Sequence, residues 1–240
     1  MKVAAYTGTR NLYNEMIPAF TSLLLNSDVD KVYLLIEDDE FPVKLPDKVE
    51  SINVKNQTYF RADGPNMKSN FTYMAMMRAT FALMFPQYDK ILSLDVDTII
   101  DKDISELWDI DLKDNYFAAV KEPDRCAGGK SYFSPVYTNI GVALYNLKKL
   151  RSDNLLENVI MNLNHKYYQF MEQDAFNEFC QGHILELPNM YNCTNYCSYP
   201  FTGWCDDAKI IHYAGIRNWS NLPYIEKYRQ REHEVMNYDC

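Results

Sequence analysis

The chain has 240 residues and a formal net charge of −9, from 24 basic and 33 acidic side chains, which argues against nucleic acid as a partner. Its 47% hydrophobic and 24% charged content is that of a folded globular protein able to bury a sizeable core, not of a disordered one. No apolar run reaches membrane-span length, and the opening MKVAAYTGTRN lacks the apolar core of a signal peptide, so a cytoplasmic chain is expected. Its six cysteines (126, 180, 193, 197, 205 and 240) are expected as reduced thiols. The spacing of Cys193, Cys197, Cys205 and His212 matches no common zinc module.

Strand-like and helix-like patterns alternate along the chain. Strands are expected over Lys2–Tyr6, Val32–Ile36 and Val49–Val54, with a helix over Tyr13–Leu25 between the first two. A methionine- and phenylalanine-rich helix follows over Asn70–Phe85, closed by Pro86 and carrying Arg78 on an otherwise apolar surface. An arginine there needs either solvent or an anion. Next comes KILSLDVDTII, in which Ile91–Leu94 reads as a strand buried on both faces and ends in Asp95 and Asp97. If the chain stays extended, the two carboxylates project to one side, about 6–7 Å apart at their backbones. Two ionised carboxylates at the carboxyl end of a sheet strand suggest a divalent cation. Asp-X-Asp occurs three more times, at Asp28/Asp30, Asp101/Asp103 and Asp109/Asp111, but those copies read as turn or surface loop.

Tyr116–Val120 is the next strand. Residues 122–135, with two prolines and a Gly-Gly pair, read as a loop over the site. Asn139–Leu147 is a strand interrupted by Gly141, a sign of close approach by a ligand or another chain segment, and Asn139 shares its face. Helices are expected over Leu150–Leu163 and Glu172–Phe179. The short strand Ile184–Leu187 precedes Lys209–His212, which ends in the metal-capable His212 just as the earlier strand ends in Asp95. Alternation of this kind implies an α/β fold with a mostly parallel, Rossmann-like central sheet flanked by helices. The chain is expected to form one domain, residues 217–240 being a short C-terminal helical extension with a solvated, mixed-charge surface.

Taken together, the DVD strand end, TNIGVALYNLKKLR, MEQDAFN and IIHYAGIRNW resemble the retaining nucleotide-sugar transferases of glycosyltransferase family 8. That resemblance spans nearly the whole chain, from YTGTRNLY to Trp219. It implies a GT-A fold and a UDP-sugar donor held by Mn²⁺, with Mg²⁺ as second choice. Asp95, Asp97 and His212 would ligate the metal, with Val96 between the two aspartates on the donor. Thr7, Thr9 and Tyr13 would face uracil and ribose, Tyr13 as a stacking ring. Arg78 would lie by the diphosphate and sugar, and Asn139, Glu172 and Gln173 would line the sugar near its anomeric carbon. Gly215 would offer a backbone contact to the diphosphate. The family's closing motif carries a lysine and then a proline before the tryptophan; in this chain Asn218 stands at the lysine position, directly before Trp219, and the proline is missing, so either Arg217 supplies the charge from one residue earlier or leaving-group stabilisation is weaker.

The implied activity is transfer of glucose or galactose from UDP-glucose or UDP-galactose to a glycan or other hydroxyl acceptor, with Gln173, Glu172 and Arg78 as the catalytic set. A lipid-linked acceptor would be the one reason for membrane association. Two other readings use similar folds: a sugar-nucleotide nucleotidyltransferase, which normally has a glycine- and lysine-rich early loop that YTGTRNLY lacks, and a catalytically silent sugar-nucleotide-binding protein.

Overall fold

The structure, a computed structural model, describes residues 1–69, 71–122, 136–194, 206–216 and 218–236. The loop expected over the site, from residue 123 onward, lies outside them, as do Arg217, Cys126, Cys197, Cys205 and Cys240.

The first half of the chain winds from β1 (Val3–Thr7) through helix α1 (Tyr13–Asn26) to β2 (Lys31–Ile36) and β3 (Val49–Asn53). A 3-10 helix, Tyr73–Thr80, runs into the single α-turn α2 (Phe81–Met84), followed by β4 (Lys90–Leu94) and β5 (Thr98–Ile100). The second half comprises β6 (Phe117–Lys121), β7 (Thr138–Asn146), helices α3 (Leu147–Ser152), α4 (Leu155–His165) and α5 (Met171–Phe179), and β8 (Ile184–Leu187). The short strands β9 (Cys193–Thr194) and β10 (Ile210–His212) come next, then helix α6 (Pro223–Arg229). Seven strands form the central sheet in the order β3-β2-β1-β4-β7-β6-β8. Only β7 runs against the rest, antiparallel to both β4 and β6.

Strand alternation divides the core. From β1, Ala4 and Tyr6 join Phe20, Leu23 and Leu34 on one face, whereas Val3 and Ala5 join Met74, Phe81 and Phe176 on the other. Helix α1 therefore covers one face, and the 3-10 segment with α4 and α5 covers the opposite one. A second sheet of three strands, β5-β10-β9, sits beside the main one, with β10 antiparallel to β5 and parallel to β9.

Three expectations are corrected. The segment before Pro86 is mainly a 3-10 helix: the Thr72 side chain accepts from Met74 N at its start, and the Arg78 guanidinium itself takes the Ala75 carbonyl. The helix expected over Leu150–Leu163 is two helices, broken where Asn154 takes a left-handed φ of 50°, a state that asparagine tolerates better than most residues. The chain does not remain extended through the aspartates. Strand β4 stops at Leu94, and Thr98 donates through both N and Oγ1 to the Asp95 carbonyl, closing a turn over Asp95–Thr98. That turn sends the chain into β5 instead of onward in β4. The C-terminal extension is helical in pieces, a 3-10 turn on either side of α6.

Candidate active site

A cavity of about 250 Å³ opens at the carboxyl end of β4, lined by Arg78, Asp95, Asp97, Asn139, Gly141, Glu172, Gln173, His212 and Gly215 among others. This is the crevice position where open α/β sheets bind ligands. Nine of the residues singled out in the sequence thus meet in one place, from segments far apart in the chain.

The small sheet brings Asp97 and His212 together. Pairing of β5 with β10 sets His212 opposite Thr98, and Tyr213 N donates to the Asp97 carbonyl at 2.9 Å. His212 Nε2 then lies 3.3 Å from Asp97 Oδ1 and 3.7 Å from Asp95 Oδ2. One ligand-capable atom from each of Asp95, Asp97 and His212 falls within 4.8 Å of the others, a spacing that fits a shared cation. Gly141, on β7, keeps the space open: a Cβ there would come within 2.3 Å of His212 Cε1 and 2.6 Å of Asp95 Oδ2, closer than atoms can approach.

Arg78 is 4% exposed and fully engaged. It donates to Asp95 Oδ1, to the Ile140 carbonyl at 2.7 Å and to the Ala75 carbonyl at 3.2 Å, and its Nε lies 3.5 Å from Glu172 Oε1. Burial alone would favour a neutral guanidine, but Asp95 and Glu172 outweigh it and hold the group charged. Asp95 likewise stays well ionised: burial opposes its charge, and Arg78 and His212 more than compensate. Burial also opposes a charged His212, yet Asp97 and Asp95 raise its proton affinity. Glu172 goes the other way. Its burial dominates over Arg78 and pushes the carboxyl up to about 7.

The chain enters α5 through Met171 at φ 42°, a left-handed state that costs a non-glycine residue about 1 kcal/mol or more and concentrates at functional sites. Asp174 Oδ2 accepts from Phe170 N at 3.0 Å and Tyr137 donates to Asp174 Oδ1 at 2.5 Å, locking the helix start to the strand beside it. Gln173 is tied down as well: its Oε1 accepts from Ile140 N at 3.2 Å and its Nε2 donates to the Tyr137 hydroxyl at 3.1 Å.

The early-loop residues are placed apart from this cavity. Thr7 and Val96 are buried, and Thr9 is partly exposed with its hydroxyl donating to Asn11 Oδ1 at 2.6 Å. Tyr13 is only 4% exposed; its ring packs 5.2 Å from that of Phe41 and its hydroxyl accepts from Glu37 N. No open ring face remains there for stacking. Gly215 has a φ of 74°, so the turn after β10 uses a conformation open to glycine. Asn218 is exposed and outside the cavity wall. Sequence reasoning missed Glu122, Phe71 and Phe170, which line the cavity, and Asn192, which contacts His212. Glu122 ends a strand much as Asp95 does and could have been flagged; nothing local marks the others.

The family model for glycosyl transferase family 8 matches residues 5–222. The chain belongs to that family. A putative glycosyltransferase of Haemophilus influenzae is 28% identical over 146 residues, covering 55% of this chain and 44% of the relative. A lipopolysaccharide 1,2-glucosyltransferase of Escherichia coli K12 is 26% identical over 259 residues, covering 94% of this chain and 75% of the relative. The galactosyltransferase LgtC, solved with donor and acceptor sugar analogues, superposes with a TM-score of 0.71 at 18% identity, covering 99% of this chain and 97% of that one. This family member therefore has the GT-A fold. It spans less than half of the Haemophilus relative and about a quarter of two streptococcal ones. No helix among its described residues is long and apolar enough to cross a membrane.

Proposed function

We propose that the chain is a retaining, Mn²⁺-dependent hexosyltransferase, a single catalytic domain that moves glucose or galactose from a UDP-sugar to a hydroxyl of a glycan or other acceptor. The observation that carries this reading is the Asp95–Asp97–His212 cluster at the mouth of a cavity with a buried arginine in its wall, in a family 8 chain. The donor set fits the ion: the two carboxylates and one imidazole of Asp95, Asp97 and His212 would suit Mn²⁺ and, less well, Mg²⁺. Gly141 fits it too, because any side chain there would fill the space.

When bound, the ion supplies Lewis-acid neutralisation of the departing diphosphate. Arg78 adds fixed positive charge on the same side, already oriented by its buried partners, so little reorganisation is needed as the glycosyl bond breaks. Gly215 offers its backbone to the diphosphate, and Arg217 is proposed to supply the charge of the family's lysine. Gln173, held against β7 and Tyr137, is proposed to present its side-chain amide to the electron-poor anomeric carbon. Glu172 sits beside it as a carboxyl whose charge is suppressed near neutral pH. Thr7, the last residue of β1, and Thr9, in the turn that follows, are proposed for the nucleoside end of the donor, with Tyr13 as a supporting wall behind them. A glycan-linked acceptor is the proposed second substrate.

The test is UDP release from UDP-glucose, UDP-galactose and other UDP-sugars with an acceptor panel, in chelator-treated buffer with and without Mn²⁺. Release is expected with one hexose donor, only when the metal is present, and the product should be the α-anomer by NMR. Chelator-insensitive turnover would end the metal reading, and a β-linked product the retaining one.

A further inference from the structure

His212 is held from behind by a chain of buried side chains whose donors and acceptors can be ordered in only one way. Its Nδ1 lies 2.8 Å from Asn192 Oδ1. Asn192 Nδ2 donates to Asn139 Oδ1 at 2.9 Å, and Asn139 Nδ2 donates to Glu122 Oε2 at 2.9 Å. None of the four residues is more than 9% exposed.

Oxygen and nitrogen of a carboxamide can be exchanged by a flip, and an imidazole has two tautomers, so such chains are often ambiguous. One group here has no choice. The Gly141 backbone N–H, 3.0 Å from Asn139 Oδ1, can only donate. It fixes the orientation of Asn139: oxygen toward Gly141 and Asn192, nitrogen toward Glu122. Asn192 must then turn its nitrogen to Asn139 and its oxygen to His212. An oxygen facing Nδ1 requires the hydrogen to sit on Nδ1.

We infer that Glu122, Asn139 and Asn192 are positioning residues that hold neutral His212 as the Nδ1–H tautomer, so that the Nε2 lone pair faces Asp95 and Asp97. The inference rests on the metal-dependent reading above only for what the lone pair is used for; the hydrogen-bond order stands without it. Metal-binding histidines commonly donate their second ring N–H to a neighbouring acceptor, and loss of that partner weakens metal binding by about 10–100-fold. The departure here is that the acceptor is a carboxamide, itself oriented by a second carboxamide and a carboxylate. Asn139, expected at the donor sugar, has both ends of its carboxamide engaged in this chain.

The experiment uses the full chain labelled with ¹⁵N-histidine, the ring resonances of His212 being assigned by their loss in His212→Gln. At a pH high enough for the ring to be neutral, two-bond ¹H–¹⁵N spectra of the metal-free protein and of protein with Mg²⁺ should report a protonated Nδ1 and a bare Nε2. A proton on Nε2 in the neutral ring, with or without Mg²⁺, would overturn the inference even if every variant failed to fold. Calorimetric titration with Mn²⁺ forms the second arm. Asn192→Leu should bind about 10–100-fold more weakly than the natural chain and show a mixture of tautomers. Unchanged Mn²⁺ affinity together with an unchanged tautomer in Asn192→Leu would also overturn it. A natural chain that binds no Mn²⁺ yet shows the Nδ1–H tautomer would refute the metal reading and leave the hydrogen-bond order standing.

Discussion

At the scale of single residues, the two aspartates of the Asp95–Asp97 pair have different second jobs. Asp97 touches His212 and offers its carbonyl to Tyr213. Asp95 also neutralises Arg78, which has no solvent to fall back on. Asp97→Asn should therefore remove most Mn²⁺-dependent turnover and leave thermal stability almost unchanged. Asp95→Asn should remove turnover and also cost about 3 kcal/mol, the low end for breaking a buried pair, because Glu172 and the Ile140 carbonyl still face the guanidinium. Urea denaturation of the two variants side by side separates these outcomes; equal stabilities would show that the Arg78–Asp95 contact carries no net weight. Glu172 makes a second prediction. Its ordinary value is 4.5 and burial raises it to about 7, so between those pH values the folded chain holds a proton that the unfolded chain releases. Stability of the metal-free protein should then fall as pH rises through this window, by roughly 1–3 kcal/mol. Glu172→Gln should flatten the profile and be the more stable protein at pH 8. A Glu172→Gln curve parallel to the natural one would assign the pH dependence to other groups.

At the scale of elements, the cavity exists because β7 approaches the β4–β5 turn with no side chain at Gly141. Asp95 N donates to the Gly141 carbonyl at 2.8 Å, so the strand and the turn are locked backbone to backbone. Gly141→Ala should displace His212 or Asp95, cost about 1–3 kcal/mol from overpacking, and weaken Mn²⁺ binding far more than that loss of stability suggests. Calorimetry on the folded variant checks this; Mn²⁺ affinity equal to that of the natural chain would mean the strand shifts as a unit. The 3-10 winding of Tyr73–Thr80 belongs to the same construction. It lets Arg78 take its own helix's Ala75 carbonyl while reaching across to Ile140 on β7.

At the scale of the whole molecule, the C-terminal helix α6 is part of the fold that supports the site. Its Ile225 and Tyr228 are buried in one cluster with Ile99, Cys193 and Ile211 of the small sheet that carries His212. The Tyr228 hydroxyl accepts from Asn26 at 2.7 Å and donates to Asp101 at 3.1 Å, while Lys227 reaches Asp101 at 2.6 Å. Asp101 follows β5 directly, so the helix is tied to the strand that pairs with β10. Tyr228→Ala should cost about 3–5 kcal/mol and Tyr228→Phe about 1 kcal/mol, measured by denaturant unfolding. The alanine variant should also lower Mn²⁺ affinity at temperatures where the protein is still folded. Undiminished affinity there would show that the small sheet keeps its place without the helix.

Local pattern was enough to locate β1 to β4, α1, α5 and β8 within a residue or two, because buried parallel strands read as apolar runs and amphipathic helices as a 3.6-residue period. The DVD pair, Gly141, MEQDAFN and His212 were legible for the same reason: each breaks an otherwise regular apolar pattern with a residue suited to chemistry. What the pattern could not hold were features set by contacts between distant segments. The turn at Asp95–Thr98, the pairing of β5 with β10, the split between α3 and α4 and the 3-10 winding around Arg78 all depend on partners remote in the chain. Asn192 is the extreme case, an ordinary polar residue locally, whose importance arises only when β9 and β10 pair and place it behind His212. The sequence by itself determined which atoms could bind a cation and stabilise a leaving group. Only the tertiary structure decided which way each of those atoms faces, because hydrogen-bond direction and burial are properties of neighbours in space, not in sequence.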